Sequence, residues 1–235
     1  MIMLGIDTSS VSCGAAVLKD GKIISDVYLN VGLTHSQTLM TVVNSALANC
    51  SVEIGDVDCL AVAAGPGSFT GIRIGVSAVK GMAFERDIPV FGVSTLFALA
   101  SAVGRRHCVI CPVMDARCSQ VYTAFFTFDG EKTERLCEDM PLKLDELEER
   151  LSHFSEPVVF VGDGVQVVKK HFGNGDNFEY FSELFAFQHG SGVAKAAWVM
   201  YNNGESPVRG DDLFPKYLRL SQAERERNEK KEKRK

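Results

Sequence analysis

The sequence predicts a mixed α/β fold made from two copies of one unit. Three observations predict it. Apolar strands follow one another at the start of the chain, helices and strands alternate after them, and near Gly104-Arg105-Arg106 the order strand, aspartate, turn, strand, hairpin begins again. The echo lies in the pattern, with little identity between the copies.

The individual elements follow from periodicity and turn chemistry. Ile2 to Ile6 is a short apolar run that ends at the turn Asp7-Thr8-Ser9-Ser10. Ser12 to Leu18 and Ile23 to Leu29 pair across Lys19-Asp20-Gly21-Lys22, with Asp-Gly at the centre of a hairpin turn. Leu39, Val43, Ala46, Leu47 and Cys50 recur at helical spacing behind Ser36, an expected N-cap. Cys59 to Ala64 is a buried strand, Ile74 to Phe84 a helix ending before Pro89, Pro89 to Val93 a strand and Leu96 to Val103 a helix. In the second copy, Cys108 to Met114 is a strand ending at Asp115, and Gln120 to Phe128 alternates up to the hairpin signal Asp129-Gly130. Helices are expected at Lys143–Leu151, Val165–Phe172 and Val193–Asn202, and a strand at Val158–Val161. Residues 173–190 show weak periodicity and support no assignment.

Composition narrows the function. With 46% hydrophobic and 23% charged residues, a chain of 235 residues buries a core without disulfides or metal. A net charge of −5 gives no overall nucleic-acid signature. The charge is uneven: Gln222 to Lys235 carries seven basic and four acidic residues, hence +3, which leaves −8 on the remainder. That tail has almost no apolar residues and reads as solvated, either as a helix whose charges pair with one another or as a weak phosphate contact. No apolar run reaches the ~18 residues of a membrane span, and the N-terminus lacks a basic leader region. Seven scattered cysteines read as reduced thiols of a cytoplasmic protein. Cys108 and Cys111 have redox or zinc spacing, but they sit on a strand, where positions three apart face opposite ways, so both read as core.

Two motifs carry candidate chemistry. Gly5-Ile6-Asp7-Thr8-Ser9-Ser10 puts an acid and three hydroxyls at a strand end, which suits either phosphate and magnesium or a plain Asx turn. The run from Gly65 to Gly75, GPGSFTGIRIG, follows a buried strand and opens a helix, where an anion could bind. Its glycines at 65, 67 and 71 miss G-x-G-x-x-G by one position, and no Gly-Lys-Ser/Thr is present. Gly71, Gly75, Ala78 and Gly81 leave one helix face nearly bare, which favours a close helix–helix seam and partner binding, with phosphate binding still open. Ser68 lacks the G-x-S-x-G context of a hydrolase nucleophile. Asp115 with Arg117, and Gly162-Asp163-Gly164, are two further polar turns after strands. His35 would need a histidine four residues on to bind metal from a helix, and that position is Leu39. His107, His153, His171 and His189 are isolated, so no metal site is expected.

These strings, together with HSQTL (35–39), AAGPGSFTGIRIGVSAVKGMAF (63–84), IPVFGVSTLFALA (88–100), MDARCSQVY (114–122) and PKYLRL (215–220), run in the order of the TsaB (YeaZ) family, which the chain resembles from Leu4 to Leu220. Residues 123–161 and 173–210 resemble it only in pattern, and the charged tail lies outside it. The resemblance implies an α/β duplicated two-lobe fold of the actin-like (ASKHA) kind, with mixed sheets flanked by helices. It divides the chain into lobes at 1–103 and 104–220 with a tail at 221–235. It implies an accessory, non-catalytic relative of the TsaD transferase, acting with TsaD-like and TsaE-like partners. Their reaction moves threonylcarbamoyl from its adenylate to N6 of an adenosine beside the tRNA anticodon. Partner binding, or homodimer formation when the partner is absent, would use Leu39, Val43, Gly71, Gly75, Ala78, Val79 and Met82. A vestigial nucleotide cleft would comprise Asp7, Thr8, Ser9, Gly65, Gly67, Ser68, Asp115, Gly162, Asp163 and Gly164. The one cofactor left open is ATP or ADP, in that cleft or at the partner interface. The His-x-x-x-His metal pair of the catalytic relatives is His35 and Leu39 here. An ASKHA phosphotransferase using Asp7, Thr8, Ser9 and Asp115 lacks a tight phosphate loop. A peptidase lacks a nucleophile triad and a metal pair.

Overall fold

A computed structural model of the chain describes residues 1–175, 177–181 and 187–219. The expected solvated tail at 221–235 lies outside the described residues. The first unit runs β1 (Ile2–Asp7), β2 (Cys13–Lys19), β3 (Lys22–Leu29), α1 (His35–Ala48), β4 (Cys59–Gly65), α2 (Phe69–Phe84), β5 (Val90–Ser94) and α3 (Thr95–Ser101). The second runs β6 (Val109–Arg117), β7 (Gln120–Thr123), β8 (Phe126–Phe128), β9 (Thr133–Arg135), β10 (Met140–Lys143), α4 (Leu144–Leu151), β11 (Val158–Val161), α5 (Val165–Phe172), β12 (Phe178–Tyr180) and α6 (Gly190–Asn202).

The sheets show the duplication directly. Their orders are β3-β2-β1-β4-β5 and β10-β7-β6-β11-β12. In both, the middle strand has an antiparallel neighbour on one side and a parallel neighbour on the other. The β8–β9 hairpin is an addition to the second unit, joined to β6 at Ile110. Helices α1 and α2 cover the outer face of the first sheet through Leu39, Val43, Ile72 and Val79, and α4 and α5 cover the second through Leu147 and Val168. The two central helices cross over. Residues Val193, Ala194, Ala196 and Ala197 of α6 pack on the first sheet, while Leu96, Leu99 and Ala100 of α3 pack on the second.

Small residues make this crossing close. A Cβ on Gly5 or Gly14 would meet the backbone of Gly190, and one on Gly192 would lie 2.6 Å from the carbonyl of Ala98. The bare helix–helix seam of this protein therefore joins α3 to α6 inside the molecule. Cys108, just before β6, belongs to the inner core, and Cys111 of β6 to the outer one.

Several boundaries move. Helix α1 starts with Thr34 at its N-cap, and Ser36 lies in its first turn. Helix α2 begins five residues before Ile74, because Ser68 caps it by accepting from the Gly71 amide at 3.2 Å. The Gln120–Phe128 run breaks into two strands, β7 pairing with β10 and β8 with β9. Within 173–190 a short strand, β12, extends the sheet beside β11.

Candidate functional site

A cleft between the lobes, beside the turn after β1, encloses about 400 Å³. The turn after β1, the loop entering α2, the end of β6, Asp163 after β11, and residues 216–219 wall it. Of the expected cleft residues, Ser9, Gly67, Ser68, Asp115 and Asp163 line it. Asp7, Thr8, Gly65, Gly162 and Gly164 do not. The Thr8 hydroxyl points into α2 and donates to the Gly71 carbonyl at 2.7 Å. Gly65 is pressed against the Lys216 carbonyl, and Gly162 and Gly164 against Val113. Asp7 turns toward the opposite side, into a second cavity.

Sequence reasoning missed the cations. Lys216 and Arg219 arrive on a strap from the end of the described chain. The Lys216 amide donates to Ala64 of the first lobe at 2.7 Å, and the Arg219 guanidinium to the Ala116 carbonyl of the second at 2.7 Å. Tyr217 between them stacks on Phe69 at 4.6 Å and accepts from Arg73 Nε at 2.8 Å. Nothing local marks PKYLRL as cleft-forming, since its placement depends on contacts far away in sequence.

The groups that would cradle a phosphate are already engaged. Ser9 donates from both its amide and its hydroxyl to Asp7 Oδ1, at 2.8 and 2.7 Å, which is an Asx turn. The Ser10 and Ser12 hydroxyls share a hydrogen bond of 3.2 Å. The Ser68 amide donates to the Ser9 carbonyl at 2.7 Å, and its hydroxyl caps α2. Gly67 lies against the Ser9 carbonyl and Gly71 against the Thr8 carbonyl. The glycines of GPGSFTG thus let the first turn of α2 approach the backbone after β1, rather than a ligand.

Burial pushes the Asp7 carboxyl up to about 6 despite its two bonds from Ser9. Burial likewise raises Asp163 to about 6, opposed by a bond from the Asp115 amide and reinforced by the Asp115 charge. Among the described residues this cleft places no nucleophile beside a free base.

A metal does not fit at the entry to α1. His35 Nε2 bonds the Ser10 carbonyl at 2.8 Å, and Leu39, one turn on, is buried in the core. Among the described residues no three His, Cys, Asp or Glu side chains converge on a metal-sized site.

The expected partner interface needs correcting. Leu39, Val43, Gly71, Gly75 and Val79 are buried within the chain itself. A Cβ on Gly75 would overlap the Thr8 hydroxyl and meet Val62 at 3.3 Å, so the bare face of α2 packs on its own sheet. Ala78 and Met82 are half-buried at its edge. Met40 of α1 and Ser77 and Gly81 of α2, which the pattern did not single out, are exposed, and Ile74 is half-exposed.

The family model described as TsaD, tRNA N6-adenosine threonylcarbamoyltransferase, matches residues 30–226. The tRNA threonylcarbamoyladenosine biosynthesis protein TsaB of Bacillus subtilis (strain 168) is 33% identical over 224 residues, covering 95% of this chain and 96% of that protein. A crystal structure from Pseudomonas aeruginosa, described as an uncharacterized protein with similarity to peptidase YEAZ, superposes with a TM-score of 0.80 at 25% identity, covering 93% of this chain and 99% of that one. Component A of (R)-2-hydroxyglutaryl-CoA dehydratase from Acidaminococcus fermentans superposes at 0.50 with 14% identity, over 86% of this chain and 98% of that one. That last likeness speaks to the fold alone, the actin-like (ASKHA) duplicated arrangement.

Proposed function

This chain belongs to the TsaB family, within the wider group of TsaD relatives, and acts in tRNA threonylcarbamoyladenosine biosynthesis; we propose that it does so as a non-catalytic subunit that holds a TsaD-type transferase on the outward faces of α1 and α2. One observation carries the non-catalytic reading. The metal pair that the resemblance gives the catalytic relatives is replaced by His35, which ties α1 to the turn after β1, and Leu39, which fills the core. Without that pair the entry to α1 offers no site for a metal that would polarise the adenylate or the attacking amine. The cleft supplies no substitute, because its serines hold turns.

The docking surface then consists of what α1 and α2 leave outside. Met40, Ile74, Ser77, Ala78, Gly81 and Met82 form a small-residue and methionine face with no charge among them. Such a face admits a partner helix at short range, and methionine adapts to the partner's shape. A second copy would meet the same face when the transferase is absent. A TsaE-type ATPase and tRNA join through the complex, and the reaction runs in the cytoplasm. No helix among the described residues is long and apolar enough to cross a membrane. The second reading, ADP or ATP in the cleft beside Ser9 and Ser68, draws on Arg117, Lys216 and Arg219.

Ala78→Asp tests the docking surface. Burying one unpaired carboxylate in an apolar interface weakens binding of the purified TsaD-type subunit by about 100-fold or more, while the half-exposed site leaves the monomer folded. An unchanged dissociation constant in calorimetry removes α1 and α2 as the docking face.

A further inference from the structure

We propose that the outward face of α2 recognises carboxylates through Arg73 and Lys80, on the flank beside residues 213–217, and so fits an acidic helix of the transferase subunit. This rests on the docking of that subunit to α1 and α2, and adds the chemistry the subunit must present there.

Helix geometry sorts the face into rows. At 3.6 residues per turn, Thr70, Ser77 and Gly81 fall on one line of α2, and all three are exposed. Arg73, Lys80 and Phe84 fall together on one side of that line, with Ala78 and Met82 on the other. The end of the described chain runs along the first side. A Cβ on Gly210 would lie 3.1 Å from that of Ala83. The Lys80 ammonium stands over the Phe214 ring at 4.8 Å. Tyr217 stacks on Phe69, and the Arg73 guanidinium covers the Phe69 ring at 3.9 Å.

Both cations are held in place but carry no counter-charge. Arg73 donates from Nε to the Tyr217 hydroxyl at 2.8 Å, and Lys80 donates to the main-chain carbonyl of Asp211 at 3.2 Å. Among the described residues neither forms an ion pair, although acids outnumber bases by 30 to 25 in the chain. Stacking on the rings orders both side chains before a partner arrives, so little rotamer freedom is left to lose on pairing. Seven residues of helix set them about 10 Å apart, which matches two carboxylates two turns apart on a partner helix.

The surroundings suit a protein. Phe84 and Phe214 are 82% and 68% exposed, and such rings beside an arginine are the composition of binding hot spots. This row adjoins the uncharged line at Ser77 and Gly81, which admits a helix but offers nothing to a phosphate backbone. A second copy of the chain lacks the complementary charge, because α1 and α2 contain no aspartate or glutamate. The two cations therefore select the transferase over self-association.

The test measures association of the full chain with the purified TsaD-type subunit by stopped-flow fluorescence, from about 50 to 500 mM salt. Arg73→Glu with Lys80→Glu slows association at low salt by about tenfold or more, abolishes its salt dependence and raises the dissociation constant by about 100-fold. Arg73→Gln with Lys80→Gln, which adds no new charge, gives an intermediate loss and carries the test if the double reversal does not fold. Lys22→Glu with Lys170→Glu, the same change of net charge at exposed lysines of β3 and α5, stays within about twofold of wild type. Unchanged rates and salt dependence in the Arg73/Lys80 variants, or an equal slowing in the Lys22/Lys170 control, would overturn the proposal. So would self-association weakened as much as transferase binding, or loss of tRNA binding with transferase binding intact. Ala78→Asp keeps the two readings apart. If it weakens binding and the reversal does not, docking on α2 stands and the charge pairing falls; if neither weakens binding, the docking itself falls.

Discussion

Two glycines of one helix should respond to the same substitution with opposite sign. Gly75→Ala and Gly81→Ala each remove a glycine from the interior of α2, which by helix propensity alone stabilises by about 0.5–1 kcal/mol. At Gly81 a Cβ has no neighbour within 4 Å, so that gain is kept. At Gly75 the Cβ overlaps the Thr8 hydroxyl and crowds Val62. Thr8 must then move and break its buried bond to the Gly71 carbonyl. Orphaning that hydroxyl and carbonyl costs about 1–3 kcal/mol, and overpacking adds about 1–3 kcal/mol more. The net is a loss of about 1–5 kcal/mol at Gly75. At about 3 °C per kcal/mol for a chain of this size, Gly75→Ala lowers the melting temperature by about 3–15 °C, and Gly81→Ala raises it by about 2–3 °C. The assay is thermal and urea unfolding of both variants and of each in a Thr8→Ala background. Removing the Thr8 hydroxyl should recover about 1–3 kcal/mol of the Gly75→Ala loss and none of the Gly81→Ala effect. If Gly75→Ala melts like wild type and loses only partner binding, the glycine face of α2 is an intermolecular seam and the packing reasoning fails.

Two further predictions concern protonation and thiols. Asp7 has a folded pKa raised from 3.8 to about 6 by burial, so between those values the folded state binds a proton that the unfolded state has released. Stability from this group falls as pH rises through that window and stays lower above about 6. Asp7→Asn keeps the acceptor for Ser9 and should be more stable than wild type by up to about 3 kcal/mol near neutral pH, converging with it below about pH 4 in urea titrations; parallel curves at all pH values would contradict this. Burial pushes Cys59 and Cys111 to about 12, while Cys118 is exposed at the β6–β7 turn. Iodoacetamide should therefore modify Cys118 in the native protein and leave Cys59 and Cys111 until unfolding, as peptide mass spectrometry would show.

Most of the fold was legible from local chemistry. The Asp20-Gly21 turn adopts positive φ at both residues as a hairpin demands, and the apolar runs of β1, β4, β6 and β11 are the strands that each sheet buries in its middle. The repeated strand–aspartate–turn order matches two sheets of equal topology. The site was less legible because its residues meet only through long-range packing. Lys216 and Arg219 reach the cleft on a strap anchored at Ala64 and Ala116. Gln188 precedes α6, which crosses from the second unit onto the first sheet, and no local period announces a crossing. The glycines after β4 misled for a different reason. A bare helix face shows that something approaches closely, and sequence does not say whether that is a partner or the protein's own β1. Leu39 and Val43 sit at helical spacing because they face the core, and the same spacing places Met40 outside.

The account's central claim, a binding subunit without chemistry of its own, is tested most directly by reconstituting threonylcarbamoyl transfer to tRNA from purified TsaD-type and TsaE-type subunits with this chain added or withheld. Transfer should depend on the chain, survive His35→Ala apart from any loss of stability, and fall with Ala78→Asp in proportion to lost partner binding. Transfer by this chain alone, or equal transfer without it, would contradict the account.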